Sequence, residues 1–375
     1  MKLSVGAALS LGLAVVGTPA PAQAEPLDPA LERLVMDPAC HNGGETPLPG
    51  IPFGAFTPVS STGGSPAACE PNDEAFTKLI SQYAFAIAPS AMHSARTTGY
   101  GGFNLAIEAS YTTINGGKQY WKQGTQGTRD PNTNQASIEN TDPPGVLQLY
   151  SLKFRKGFGF GLELTGVVGF MPQTSIISGG ADVRISLLEG FRTGIGGILP
   201  DVAVGAAVRT ITGVPQFQLT VMGLDTQVSK PFAIADNSVL TPWLGYQYLF
   251  IYGDSGLIDL TPATDAIQAC NYSGPAAPGN PKTTASGETV YDGSPVCNGG
   301  QPYDFNNNAV FSPVRLRRHR LLAGMNYRYE MLEVGGQLIM DLVPPGDAQP
   351  NAENKRILSK EDKQFSFVFE LGAMF

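Results

Sequence analysis

Charged side chains recur at every second position within several apolar stretches of this 375-residue chain. Lys153 and Arg155, for example, alternate with Leu152 and Phe154. Side chains of an extended strand point alternately to opposite faces, so such charges share one face. On an enclosed face, opposite charges must pair or line a hydrated conduit, because an isolated buried ion is costly. The ten candidates for this enclosed face are Glu108, Lys153, Arg155, Glu163, Asp182, Arg184, Arg209, Glu333, Asp341 and Glu370.

The same alternation predicts an all-β fold of ten strands. With apolar residues facing lipid and polar residues facing a lumen, it is typical of a transmembrane antiparallel up-and-down barrel. Lys156-Gly157 reads as a tight hairpin turn, and twelve strands are the alternative if residues 80 to 100 contribute. The ten predicted segments are 103–112, 146–155, 158–170, 181–187, 201–209, 216–229, 239–252, 314–329, 332–342 and 363–375.

The lengths of the connections support this topology. If the first strand rises from the periplasm, most odd-to-even links are long and the even-to-odd links are shorter, as outer-membrane barrels require. A barrel of ten strands has an interior that side chains can nearly fill. A salt-bridged filling of the lumen and a polar conduit therefore both remain open, and a wide channel is not expected.

The N-terminus reads as an export signal followed by a separate segment. Lys2, an apolar run and the site Ala22-Gln23-Ala24 predict a cleaved signal peptide over residues 1–24 and export through the Sec pathway. Residues 25–100 are expected to form a periplasmic or plug segment. Within it, Asp28 is predicted to cap a short helix that begins at Pro29.

A second helix is predicted after Asn72-Asp73-Glu74. Phe76, Leu79, Ile80, Tyr83 and Ile87 would share one of its faces. Tyr83, Phe85 and Ile87 also alternate, so a strand is the competing interpretation.

The composition of the chain limits the classes of partner that it can bind. Only 15% of the residues are charged and the net charge is −8, or −9 once Lys2 leaves with the signal peptide. An acidic chain is a poor nucleic-acid binder. We therefore expect outer-membrane lipid, and not nucleic acid, as its surroundings.

Four cysteines occur in a chain whose export permits disulfides. Cys40 and Cys69 precede the first strand, on the predicted periplasmic side, and Cys270 and Cys297 lie in the longest loop. Crossed pairing would require threading the barrel, so two local disulfides are predicted.

The C-terminal strand carries the most specific pattern. Counting back from the chain end, apolar residues occupy alternate positions, and they include Phe365, Phe367, Phe369, Leu371 and Phe375. This resembles the C-terminal β-signal of Gram-negative outer-membrane proteins, over about eleven residues. The resemblance implies recognition by the barrel-assembly machinery and localisation in the outer membrane of a Gram-negative bacterium. It identifies no subfamily and no transport activity.

Catalysis is not indicated. Omptin proteases are ten-stranded barrels, but this chain has only three histidines, no Asp-x-His pair and no Gly-x-Ser-x-Gly motif. No histidine cluster suggests a metal. The oxygen-rich stretches 130–134 and 304–308 lack the central glycine and closing glutamate of calcium loops, and turns explain them better. We expect no enzyme, metal or cofactor.

A basic cluster opens the eighth strand at its predicted cell-surface end. Arg315, Arg317 and His319 are candidates for contact with lipopolysaccharide, because guanidinium groups pair well with phosphates. Pairing with a loop acid such as Asp254 is the alternative.

Two functions follow from the fold. The first is passage of an unknown small solute, porin-like or gated, with residues 25–100 as the plug. The second is a non-conducting structural or surface-interaction barrel whose long loops bind a partner. A plug places Phe76, Leu79 and Tyr83 inside or at the mouth of the barrel, whereas a scaffold places them in a separate lobe.

Overall fold

The computed structural model describes most of the chain after the predicted signal peptide. The residues described are 25–34, 71–128, 139–190, 199–259, 270–272, 282–283, 289–290, 295–297, 308–342 and 363–375.

Ten long antiparallel strands form a closed barrel, which confirms the predicted fold class and strand number. Each strand pairs with its neighbours in sequence, and the last strand pairs with the first from Asn104↔Met374 to Thr112↔Ser366. The strands are β1 (Phe103–Thr113), β2 (Val146–Gly157), β3 (Leu162–Phe170), β4 (Ile177–Leu188), β5 (Asp201–Thr212), β6 (Phe217–Ser229), β7 (Ser238–Ser255), β8 (Val314–Tyr329), β9 (Leu332–Asp341) and β10 (Phe365–Met374).

The two faces of each strand differ as the sequence pattern requires. On β10, the side chains of Phe367 and Phe369 are more than half exposed on the outer face, while Val368 and Glu370 are buried inside. The period of two fixes this register, because a slip of one residue would turn the charged set towards the membrane. The outer surface is thus apolar and the inner surface polar, as in outer-membrane barrels.

The two ends of the barrel differ in the length of their connections. The links 158–161, 189–200, 230–237 and 330–331 connect strand ends at the short-turn end, beside Phe375. The links 114–145, 171–176, 213–216, 256–313 and 342–364 connect strand ends at the long-loop end. In an outer membrane the long loops face the cell exterior, so the short-turn end is periplasmic.

The predicted turn at Lys156-Gly157 is wrong. Both residues belong to β2, where Gly157 pairs with Glu163, and the turn comprises residues 158–161. Phe160 has φ 62° and Gly161 φ +70°, and a Cβ atom at Gly161 would lie 2.7 Å from the carbonyl oxygen of Ser186. Glycine at that position permits the left-handed turn. Residues 158 to 161 therefore leave the barrel wall.

The N-terminal helices follow the prediction in part. Helix α1 (Asp73–Ile87) is confirmed, and the Asn72 side chain caps it by accepting from the Ala75 N–H at 3.0 Å. The strand interpretation of residues 80 to 87, and with it the twelve-strand alternative, is wrong. Asp28 caps no helix, since the short 3₁₀ helix spans Leu31–Arg33.

A further helix, α2 (Gln119–Gly124), was not predicted and lies in the first long loop. Among the described residues, no helix is long and apolar enough to cross a membrane.

Candidate functional site in the barrel lumen

Residues 71–100, which we call the luminal segment, cross the interior of the barrel. At the long-loop end, the Asp73 carboxylate accepts from the Ser312 N–H at 2.8 Å, just before β8. At the short-turn end, the Thr98 N–H donates to Glu163 at 2.8 Å. The chain then turns into β1 at Phe103.

The described part of the chain before the luminal segment lies at the same end of the barrel as Asp73. Residues 25–34 also lie at the long-loop end, where the Leu27 N–H donates to the Gln173 carbonyl oxygen at 2.9 Å. Asp28, expected as a helix cap, accepts instead from the N–H and hydroxyl of Ser175, at 2.6 and 2.7 Å. The luminal segment therefore runs from the cell-surface mouth of the barrel to the periplasmic mouth.

The upper half of the lumen, which is the half nearer the long-loop end, is apolar. Phe76, Leu79, Ile80 and Tyr83 of α1 are fully buried. They pack against inward apolar side chains of the wall, which are Phe217, Leu219, Val221, Leu249, Ile251, Val314 and Leu316. Each large side chain buried in this way contributes about 1.5–3 kcal/mol. Helix α1 is thus part of the hydrophobic core of the folded barrel.

Polar contacts join the second half of α1 to the first long loop and to residues 25–34. The Gln82 side-chain oxygen accepts from the Trp121 indole at 2.8 Å and from the Asn115 N–H at 2.9 Å. The Tyr83 hydroxyl donates to the carbonyl oxygen of Leu27 at 2.7 Å. This contact joins α1 to residues 25–34.

The lower half of the lumen holds a network of ion pairs. Lys153 is paired with Glu108 and, at 3.2 Å, with Glu370. Arg155 bridges Glu370 at 3.1 Å and Glu333 at 3.0 Å. All five side chains are buried, and together they carry two positive and three negative charges.

The luminal segment takes part in this network. The Ser90 hydroxyl donates to Glu108 at 2.6 Å and accepts from the Lys153 ammonium at 3.0 Å. Gln337 of the wall donates to the Ser90 carbonyl oxygen at 2.6 Å. Because these wall charges find partners on the segment, moving the segment would leave buried polar groups to be rehydrated.

A second polar cluster surrounds His93 of the luminal segment. One nitrogen of the Arg184 guanidinium lies 2.8 Å from His93 Nδ1 and 2.8 Å from the Gln227 side-chain oxygen. The other nitrogen donates to Asp225 at 3.1 Å. His93 Nε2 lies 3.5 Å from Glu163. Nδ1 also lies 3.0 Å from the Ser94 carbonyl oxygen. Because arginine can only donate, the shorter contact with Arg184 assigns Nδ1 as an acceptor and places the proton of the neutral ring on Nε2, towards Glu163.

The ring of His93 is held neutral. Protonation would place a fourth positive charge beside Arg184, Arg155 and Lys153. The contact between His93 and Arg184 therefore requires the uncharged imidazole.

The other predicted lumen residues are also paired. Arg209 and Asp182 form an ion pair between neighbouring strands, with Asp182 only partly buried. Asp341 is buried against Arg318 at 2.5 Å. Nine of the ten sequence candidates are buried in the interior, and Asp182 is the exception.

Two interior arginines were missed from the sequence. Arg318 donates to the Ser81 carbonyl oxygen of α1 at 3.0 Å, and Arg320 to that of Pro89 at 2.5 Å. Both guanidinium groups lie over the Phe85 ring, at 4.4 and 5.0 Å from its centroid. Their positions follow from the alternation, since an outward Arg317 and His319 place the even-numbered residues inside.

The outer basic cluster faces away from the lumen. Arg315 pairs with Asp254 at 2.7 Å, which is the alternative to lipid contact named above. His319 Nδ1 lies 2.5 Å from the Tyr246 hydroxyl. Arg317 is exposed on the same face.

A polar cavity of about 260 Å³ opens at the short-turn end. It is lined by Arg96, Thr98, Arg155, Glu189 and Glu333, among others. No group of three or more potential metal ligands occurs among the described residues. The stretch 130–134 and residues 304–307 of the second oxygen-rich stretch lie outside that part of the chain.

The cysteines are described only in part. Cys40 and Cys69 lie outside the described residues, but the Asn72 N–H donates to the Leu34 carbonyl oxygen at 3.0 Å, so both ends of that stretch meet at the long-loop end. The backbones of Cys270 and Cys297 are direct antiparallel partners. Local disulfides remain a prediction.

Comparison with known proteins finds similarity in structure alone. No protein-family model matches the chain, and no curated protein sequence does. Similar solved structures include Ail, the attachment invasion locus protein of Yersinia pestis, with 8% identity over 74% of this chain and 100% of Ail, at a TM-score of 0.24. The outer membrane protein OprG of Pseudomonas aeruginosa has 10% sequence identity over 76% of this chain and 99% of OprG, at a TM-score of 0.24. Omp33 of Acinetobacter baumannii has 8% sequence identity over 73% of this chain and 97% of Omp33, at a TM-score of 0.23.

The surface of the barrel indicates that the protein resides in a lipid bilayer. A closed sheet leaves no unpaired edge, and its outer face exposes large apolar side chains on every strand. Such a barrel satisfies its backbone hydrogen bonds within lipid. The chain is an outer-membrane β-barrel protein of the Gram-negative type.

Proposed function

We propose that the protein is an outer-membrane channel for a small solute, closed in the described state by its own luminal segment. The observation that supports this most directly is the polar attachment of residues 88–100. Ser90, His93 and Thr98 bind the wall through hydrogen bonds to charged side chains. Such contacts can be exchanged for water at a net cost of about 0.5–1.5 kcal/mol each, or about 1.5–3 where the partner is charged.

The apolar contacts in the cell-surface half of the lumen determine how much free energy opening of the channel requires. Helix α1 blocks the cell-surface half of the lumen and would have to move as well, which would expose its apolar face and that of the wall. We infer that opening is rare without a trigger, and that the polar cavity of about 260 Å³ at the periplasmic mouth is where solute first meets the segment.

The same apolar cluster favours a second candidate. If α1 never leaves, the protein is a non-conducting barrel whose cell-surface loops bind a partner. Outer-membrane lipid and lipopolysaccharide, the latter through exposed Arg317, are proposed partners in either case. Recognition of the β10 aromatic pattern by the barrel-assembly machinery stays a prediction.

Single-channel recording in planar bilayers distinguishes the two candidates. The Ala95 N–H donates to the Ser229 hydroxyl at 3.1 Å, so an A95C/S229C pair can tie the segment to the wall. We expect rare conductance steps in the reduced protein, none in the oxidised protein, and steady conductance in a variant lacking residues 25–95. Silence from all three, with folding shown by heat-modifiable gel migration, would reject the channel and favour the filled barrel.

A further inference from the structure

An apolar groove of about 960 Å³ runs along the outer wall across β6 to β10. Its floor is low because small residues, Ala323 and Gly336, occupy outward positions in the middle of β8 and β9. Its rims are higher, since Leu244, Met325 and Phe369 are each more than half exposed there. The volume lies within the range of ligand-binding pockets.

The groove has a fixed depth in the membrane. The rim residue Tyr327 lies opposite Val334, close to the short turn that joins β8 and β9. At its far end the groove reaches Phe367, in the upper half of β10. The groove therefore opens at the periplasmic surface and extends into the bilayer, which is the course of an acyl chain of the inner leaflet.

One cationic side chain marks the periplasmic end of the groove. Lys230 lines it in the turn after β6, and its ammonium donates to the Leu199 carbonyl oxygen at 3.0 Å. An ammonium at headgroup depth complements a lipid phosphate. The rest of the lining is almost wholly apolar and complements a hydrocarbon chain.

We propose that this groove is a binding site for one phospholipid of the periplasmic leaflet. Its acyl chain lies over Gly336 and Ala323, and its phosphate lies at Lys230. The site is separate from the lumen, so it does not depend on whether the barrel conducts.

Two substitutions test the apolar part with a matched control. A Cβ atom at Gly336 meets nothing within 4 Å, so Gly336→Leu fills the groove without disturbing the wall. Gly166 on β3 also faces outward with nothing within 4 Å, but it lies outside the groove, which makes Gly166→Leu the control. For the headgroup, Lys230→Gln is compared with Lys156→Gln, whose exposed ammonium donates to the Gly101 carbonyl oxygen.

The measurement is native mass spectrometry of the full mature chain, delipidated in detergent and titrated with phosphatidylglycerol. We expect one tightly bound lipid in the parent protein and in both controls. Gly336→Leu should weaken its binding about tenfold, the effect of lifting roughly two methylene groups out of contact. Lys230→Gln should weaken it several-fold.

Equal lipid binding by Gly336→Leu and Gly166→Leu would overturn the proposal. So would a stable dimer of the parent protein, in sedimentation of the delipidated chain, that Gly336→Leu abolishes, since the groove would then be an interface between two copies. Heat-modifiable gel migration of each variant shows that it is folded, so a loss of binding reports the groove.

Discussion

Lys153→Met should destabilise the barrel far more than a typical single substitution. The ammonium is buried and pairs with Glu108 and Glu370, while Ser90 of the luminal segment donates to the same Glu108. Without it, two positive and three negative charges become one positive and three negative. Removing one partner of a buried ion pair costs about 3–5 kcal/mol, because the remaining charge stays buried.

The assay is equilibrium unfolding in urea, in detergent micelles, followed by tryptophan fluorescence and gel migration. Lys156→Met, three residues further along the same strand, removes an exposed ammonium whose one hydrogen-bond partner in the described part of the chain is the Gly101 carbonyl oxygen. The free energy of unfolding of this control variant should lie within about 0.5 kcal/mol of that of the parent protein.

A second substitution separates charge from packing. Glu108→Gln added to Lys153→Met restores the original net charge of the network and should recover about half of the lost stability. If Lys153→Met costs no more than Lys156→Met, water reaches the network, and the filled-lumen account is refuted.

The remaining predictions concern the segment and the loops. The contact between His93 and Arg184 requires the uncharged imidazole, so the urea midpoint of unfolding should fall as the pH is lowered from 7 to 5. His93→Gln should reduce this pH dependence of the urea midpoint, and an unchanged dependence would contradict the assignment. Leu79→Ala should cost about 2–5 kcal/mol because it leaves a cavity between α1 and the wall, whereas lipid-facing Leu164→Ala should cost much less by the same unfolding assay. Peptide mapping of the non-reduced protein should find Cys40 linked to Cys69 and Cys270 to Cys297, and a link between the two pairs would contradict local pairing.

The barrel wall could be predicted from sequence because its information is local. A period of two, such as Val368 inside between Phe367 and Phe369 outside, fixes face and strand position without any knowledge of neighbours. The same rule places the lumen charges. The turn at residues 158–161 was missed because Phe158 and Phe160 continue the alternation, and only a left-handed Phe160 ends it.

The path of the N-terminal segment could not be predicted, because it depends on contacts distant in sequence. Asp73 meets Ser312 across 239 residues, and nothing near either residue indicates the contact. One signal was available: inward positions at the upper ends of β6 to β8, such as Leu219, Ile251 and Leu316, are apolar where a water-filled lumen would be polar. These residues indicated that an apolar element fills that half.

The direction of the luminal segment is the central claim, and surface labelling tests it most directly. An epitope inserted between residues 49 and 50 follows residue 34, which lies at the long-loop end. The control insertion, between Asn237 and Ser238, lies in a short turn on the opposite side. Antibody should label the first epitope on intact cells and the second only after permeabilisation. Labelling of the first epitope only after permeabilisation would show that residues 25–100 stay in the periplasm, and would contradict the threaded lumen.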